Sequence, residues 1–187
     1  ENEQDAQTAS ILIQEVDRLN RVVGQLLEFS RPVSILPRPV RPDRLIADIA
    51  KLIEPQAQAK SVTVAVRHPA DMPDVQLDGD RLNQVLLNLF LNGIEAMDGG
   101  GVLTVQAMQA SNASRLEIRV SDTGTGIRPE DLAHIFEPYF TTKPSGTGLG
   151  LAIAHNIIDA MGGEITVQST PGAGTSFILR LPIHSQR

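Results

Sequence analysis

The 187-residue sequence contains no cysteine, no tryptophan and a single tyrosine. Without cysteine, disulfides, thiolate metal sites and cysteine nucleophiles are excluded. No apolar run approaches the ~20 residues that a membrane span requires. Basic residues are also in the minority: 16 Lys and Arg against 22 Asp and Glu leave a formal charge of −6. That balance argues against nucleic acid or an anionic membrane surface as the main partner. There is neither an initiator methionine nor a signal-peptide pattern at Glu1. The start is therefore expected to be a cut made by processing or by design, and the missing span describes this piece and not its parent. What is present, 41% hydrophobic and 20% charged residues, is the composition of an ordinary soluble globular protein. Its length suits one sizeable domain with a small appendage.

The first thirty residues read as one helix. Ala9, Leu12, Val16, Leu19, Val23 and Leu26 recur at alternating spacings of three and four, the seam of a coiled coil or helix bundle. Glu15, Asp17, Arg18, Arg21 and Glu28 occupy the other faces. The stripe needs either a second helix, from another copy or from an upstream segment, or a docking place on its own domain. Pro32, Pro37, Pro39 and Pro42 then rule out helix interior, so residues 32–42 read as an extended linker.

Residues 43–187 read as the main domain. Asp43 is expected to cap a helix to about Lys60, broken near Pro55, before a strand at Ser61–His68. A helix over Asp80–Met97 and a turn at Gly99–Gly101 lead to strands near Val102–Met108 and Leu116–Ser121, joined through Ser111-Asn112. A glycine-rich irregular region precedes a helix from Gly148 to Met161. Strands Glu164–Ser169 and Thr175–Leu181 then flank a Pro171–Gly174 hairpin. Helices on one face of a mainly antiparallel, mixed sheet give an α+β class, a two-layer α/β sandwich.

Four clusters carry chemistry. In the apolar helix Asp80–Met97, Gln84, Asn88, Asn92 and Glu95 stand four, four and three apart and share one polar stripe. Asparagine is a poor helix-interior residue, so the stripe is either a satisfied buried network or a hard-cation site. In the cation reading Glu95 holds a metal-bound water or orients an amide. Asp122-Thr123-Gly124-Thr125-Gly126 follows a strand and sets a carboxylate acceptor at its end, suited to an exocyclic amine such as that of adenine; guanine offers donors too. Gly146-Thr147-Gly148-Leu149-Gly150 opens a helix whose bare N–H groups suit an anion, yet it fits neither a Walker A loop nor a dinucleotide fingerprint. Ile135–Lys143 concentrates Phe136, Tyr139 and Phe140, three of the six aromatics, inside an irregular stretch from Ile127 to Thr147. It reads as a hinged lid with Lys143 as a phosphate-seeking cation, or as a small satellite core.

In this order, the clusters resemble the ATP-binding domain of sensor histidine kinases, within the gyrase, chaperone and histidine-kinase superfamily. Asn88-Leu-Phe-Leu-Asn92-Gly-Ile-Glu95-Ala is similar to its N box, and the other three clusters to its first glycine box, F box and second glycine box. Gly172-Ala-Gly174-Thr-Ser-Phe177 looks like the last glycine-bearing turn. Residues 15–32 resemble the second helix of the dimerisation domain, in the style of the nitrogen-regulatory and zinc-responsive kinases. The resemblance implies ATP and Mg²⁺ as ligands. By the resemblance, Asn92 is expected to bind metal, with Asn88 beside it contacting metal or phosphate, and Asp122 to accept from the adenine amine. Glu95, Gly124, Gly126, Ile127, Gly146, Thr147, Gly148, Leu149 and Gly150 shape the pocket and its lid, at 127–147. Lys143 reaches the terminal phosphate and, with Asn88, stands in the catalytic role. It also implies transfer to a histidine and then to an aspartate of a response-regulator receiver domain. A homodimer through residues 1–31 and a cytoplasmic domain of a membrane-anchored parent complete the expectation.

Two departures matter. None of His68, His134, His155 and His184 is followed by the acid and Asn-Pro of the family's acceptor, so this chain is expected not to phosphorylate itself. Gly93 stands where the family commonly has alanine, at about 1 kcal/mol of helix propensity. The rivals are an ATP-driven conformational clamp of the same superfamily, which uses a glutamate where Asn88 stands, and a scaffold module with a vestigial pocket.

Overall fold

A computed structural model describes residues 2–69, 72–109, 114–143 and 146–183. The connection at 111–112, His184 and lid positions 144–145 lie outside them. The chain runs α1 (Asn2–Ser30), β1 (Arg38–Val40), α2 (Pro42–Ala59), β2 (Val62–Arg67), β3 (Val75–Leu77), α3 (Gly79–Glu95), β4 (Gly101–Gln109), β5 (Arg115–Ser121), α4 (Pro129–Leu132), α5 (Gly150–Ala160), β6 (Glu164–Thr170) and β7 (Gly174–Pro182).

The expected α+β sandwich is what forms. β2-β4-β5-β7-β6 make a five-stranded sheet, antiparallel except for the parallel pair β2–β4. Alternation assigns its faces. Leu103 and Val105 of β4, Leu116, Ile118 and Val120 of β5, and Leu179 and Leu181 of β7 are buried against the helices. On the other face Arg180 bridges Glu117 and Glu164 across three strands, each contact 3.2 Å. α2, α3 and α5 lie side by side on the buried face, and α3 is the central helix, with Leu82, Val85, Leu86, Leu89 and Phe90 at most 1% exposed.

Three local expectations are corrected. Asp43 is not a cap: Arg41 holds that position, Pro42 is the first helical residue, and Asp43 sits in the first turn. Its carboxylate takes Arg41 Nε at 3.0 Å and Nη2 at 2.8 Å, a fork that holds its pKa below the usual range. Pro55 does not break α2; the bond it removes would have gone to the carbonyl of Lys51, on the exposed side, where solvent has access to it. The linker, expected only to be extended, also carries a ladder, because β1 pairs antiparallel with β3. Three residues each, with Pro39 lacking a donor, are too short for alternation to reveal.

α3 starts from Asp78, not Asp80. Asp78 Oδ1 accepts from the N–H of Arg81 at 3.0 Å, and Oδ2 accepts from that of Leu36 at 2.8 Å, so one buried carboxylate caps the helix and moors the linker. Gly93 turns out to have a packing reason: a Cβ there would stand 2.8 Å from Leu103 Cδ1 and 3.4 Å from Asp122 Cβ.

α1 uses two faces. Val22, Gln25 and Phe29, three and four apart, are half-buried, with Phe29 packed on the core of the main domain. Leu12, Val16, Leu19 and Val23 remain 51–61% exposed on another face. Of the two placements weighed for this helix, docking on its own domain is therefore in use, through the face that carries Phe29.

Candidate functional site

The polar stripe of α3 divides. Gln84 belongs to the N-terminal half, where its Oε1 accepts from Arg81 Nη1 at 3.2 Å. Asn92 and Glu95 face the lid, and Asn88 faces the start of α5. Asn88 donates from Nδ2 to the carbonyl of Gly150 at 3.2 Å, which fastens the second glycine box to α3. Asn92 Oδ1 and Glu95 Oε2 both accept from the ammonium of Lys143, at 3.4 and 2.6 Å. Sequence separations of 51 and 48 residues are closed here by the lid folding back over the C-terminal end of α3.

A neutral carbonyl and a carboxylate converging on one cationic nitrogen form an oxygen donor set that fits a hard divalent cation. Among the described residues there is no group of three or more His, Cys, Asp or Glu able to hold a metal. A magnesium ion here would rely on Asn92, on water and on phosphate oxygens.

Asp122 directly follows β5, beside Gly93 of α3. Its Oδ1 accepts from the N–H groups of Gly124 at 2.8 Å and Thr175 at 3.2 Å. Both bonds fall on one oxygen, so Oδ2 takes none from the described residues. Burial pushes the Asp122 carboxyl above the usual carboxylate range, against the lowering pull of those two N–H groups and of Lys143. Sequence reasoning missed Thr175, a polar residue 5% exposed at the start of the apolar strand β7. The first glycine box is pinned on both sides. Thr125 N–H donates to the Ala96 carbonyl at 3.1 Å, Gly172 N–H to the Thr125 carbonyl at 2.7 Å, and Ile127 N–H to Ser169 Oγ at 2.8 Å. Gly124 lies against the Ala96 carbonyl and Gly126 against that of Thr170. Ser169 was likewise not anticipated.

The lid is part core and part arm. Phe136 meets His155 at a tilt with centroids 5.1 Å apart and Phe177 edge-on at 6.5 Å, so it packs on the main core and not in a satellite of its own. Phe140 is half-buried, and Tyr139 alone of the three is exposed. The short helix α4 was not anticipated, although Pro129 followed by two acids is an N-terminal signal. Beyond it, Lys143 is set by a local turn: its N–H donates to Thr141 Oγ1 at 3.1 Å, and its carbonyl accepts from Gly146 at 3.1 Å.

The second glycine box starts α5 at Gly150, two residues later than expected. Thr147 Oγ1 accepts from the N–H of Leu149 at 3.3 Å and donates to Gln25 Oε1 of α1. Leu149 is buried. Gly148 has φ +68°, and its carbonyl accepts from the N–H of Tyr139 at 2.9 Å. A Cβ at Gly148 would strike the Tyr139 backbone. Gly148→Ala is therefore expected to cost the lid at least about 1–2 kcal/mol from the left-handed conformation alone. Faster hydrogen exchange at Tyr139 in the variant would show this; an unchanged rate would mean that the backbone there yields freely.

The sequence model of the histidine kinase-, DNA gyrase B- and HSP90-like ATPases matches residues 77–185, more than half of the chain. The chain belongs to this ATPase family. Within it, the sensor histidine kinase ZraS of Escherichia coli K12 is 42% identical over 181 residues, covering 97% of this chain and 38% of ZraS. The chain thus spans less than half the length of that relative. Full-length ShkA, solved in complex with AMPPNP, superposes with a TM-score of 0.86 at 30% identity, covering 95% of this chain and 38% of ShkA. The histidine kinase ThkA, solved with the response regulator TrrA, gives a TM-score of 0.78 at 28% identity over 93% of this chain and 50% of ThkA.

Proposed function

We infer that this chain is the ATP-binding and phosphoryl-transferring part of a two-component sensor histidine kinase of the zinc-responsive and nitrogen-regulatory kind. The observation that carries the reading is the convergence of Asn92, Glu95 and Lys143 over the end of α3, one residue along from where Gly93 meets Asp122. In this reading residues 1–31 are the second dimerisation helix, 32–42 the linker, and 43–187 the catalytic domain with its lid at 127–147. The exposed stripe Leu12, Val16, Leu19 and Val23 supports a homodimer. No helix among the described residues is long and apolar enough to cross a membrane; the placement proposed is the cytoplasmic domain of a membrane-anchored parent. The partner is the receiver domain of a response regulator.

Each residue has a definable task. Asp122 Oδ2 accepts from the exocyclic amine of adenine, while Gly124 and Thr175 hold Oδ1 and so fix the plane of the carboxylate. Asn88 holds the start of α5 in place through Gly150. The glycine-opened N-terminus of α5 offers N–H groups to phosphate oxygens. Lys143 moves from Glu95 to the terminal phosphate. Magnesium, when bound at Asn92, supplies charge neutralisation across the phosphates. Phosphoryl transfer draws its acceleration from placement and electrostatics, which is why amides, one lysine and backbone N–H groups suffice. Asn88 cannot act as a base toward water, and its amide is already committed to Gly150. This disfavours the ATP-driven clamp.

The chain incubated with magnesium and γ-labelled ATP is expected to label a separately supplied two-helix domain bearing the acceptor histidine, and not itself. Label on the chain alone, or none on the acceptor, would contradict the assignment.

A further inference from the structure

The partners of Lys143 raise a question that its task as a phosphate ligand does not answer. Its ammonium lies 2.6 Å from Glu95 and 3.4 Å from Asn92, so both of its printed side-chain contacts are with α3. Glu95 is also poorly placed for its own helix. It ends α3, where the macrodipole is negative, and no basic residue occupies that last turn. The ammonium of Lys60 reaches only the backbone carbonyl of Glu95, at 3.4 Å, and spends its short contact, 2.7 Å, on Asp98. A carboxylate opposed by its helix, beside a site meant for a polyphosphate, gains nothing unless a cation stands over it. In this structure that cation comes from the lid.

We propose that Glu95 is a positioning residue whose carboxylate parks Lys143, and with it the lid, over Asn92 until a polyphosphate offers the ammonium a stronger anion. The inference rests on the nucleotide reading given above and deepens it. Lys143 serves there as the resident cation, occupying Asn92 Oδ1, the oxygen that the metal is proposed to take. When Lys143 leaves, Glu95 faces the incoming phosphates uncompensated unless a second cation takes its place. Glu95 thereby makes tight nucleotide binding depend on magnesium, and it keeps the lid ordered in the ligand-free protein.

The contact is about half exposed, so its effect is moderate and sensitive to salt. The test uses the whole chain without nucleotide, following hydrogen exchange at the amides of Tyr139, Lys143 and Gly146. Glu95→Gln is expected to speed that exchange about two- to fivefold at low salt. In the parent protein, exchange should rise to the variant's rate at ~1 M salt, where the Debye length is ~3 Å, while the variant should not respond to salt. Lys143→Met should reproduce the effect, and Tyr139, the only tyrosine in a chain without tryptophan, reports lid order by its fluorescence. Equal exchange in parent and both variants, or a parent rate indifferent to salt, would overturn the proposal. A separate titration with AMPPNP, with and without magnesium, should show about fivefold less metal dependence in Glu95→Gln; equal dependence in both would also count against it. If neither protein binds AMPPNP, the nucleotide reading fails, while the ligand-free exchange still decides whether the lid is parked.

Discussion

Asp122→Asn is expected to leave the protein folded and to weaken AMPPNP binding about a hundredfold, the scale of a hydrogen bond to a charged group. The two atoms that fix the side chain produce this separation. The N–H groups of Gly124 and Thr175 both donate to Oδ1, so an amide here must turn its oxygen toward them and its NH₂ toward the pocket. There it meets the adenine amine donor to donor. Stability should move the other way. Burial raises the folded pKa of Asp122, so ionising the group costs the native state stability as pH rises from its ordinary value, 3.8, to the raised one, and that cost persists above. The neutral variant carries no such cost. Its stability relative to the parent should improve through that window and level off above it. Isothermal titration and urea denaturation across pH 3–7 (about the range in which carboxylates titrate) check both halves. A variant that binds as the parent does would remove Asp122 from the site.

Asn92→Ala is expected to erase the magnesium dependence of nucleotide binding and to lower affinity in its presence by about tenfold or more, through loss of the carbonyl ligand. The same substitution should raise thermal stability slightly, since alanine exceeds asparagine in helix propensity by roughly half a kcal/mol. Lys143 retains Glu95 at 2.6 Å, so the lid keeps its closer anchor. Opposite signs for binding and stability distinguish a ligand role from a structural one. Magnesium dependence that survives the substitution would show that Asn92 holds no metal.

The sequence disclosed elements wherever a period could establish itself. α3 shows an apolar face over 17 residues, and β4 and β5 alternate over nine and seven. β1 and β3, at three residues each, have no room for a pattern, and their pairing is held by Asp78, which reaches Leu36 across 42 residues. The misplaced cap has a similar origin: Asp43 is the right residue type, but Pro42 pre-sets the helical φ one position earlier and leaves Asp43 to Arg41. In the site, the residues proposed to meet ligand were legible because asparagine inside an apolar helix and a carboxylate at a strand end are locally odd. Their supports were not. Thr175 reaches Asp122 only through the β5–β7 register, which sets Ser121 opposite Ser176. Glu95 meets Lys143 only once the lid has folded over α3.

The central claim is that two carboxamides a turn apart, Asp122 and the glycine-opened start of α5 surround an adenosine triphosphate with its metal. Calorimetric titration of the chain with AMPPNP, in magnesium and again in excess chelator, tests it most directly. One site per chain, with affinity markedly lower in chelator, is the expected result; the absence of binding heat in both solutions, together with an unmoved melting temperature, would contradict it.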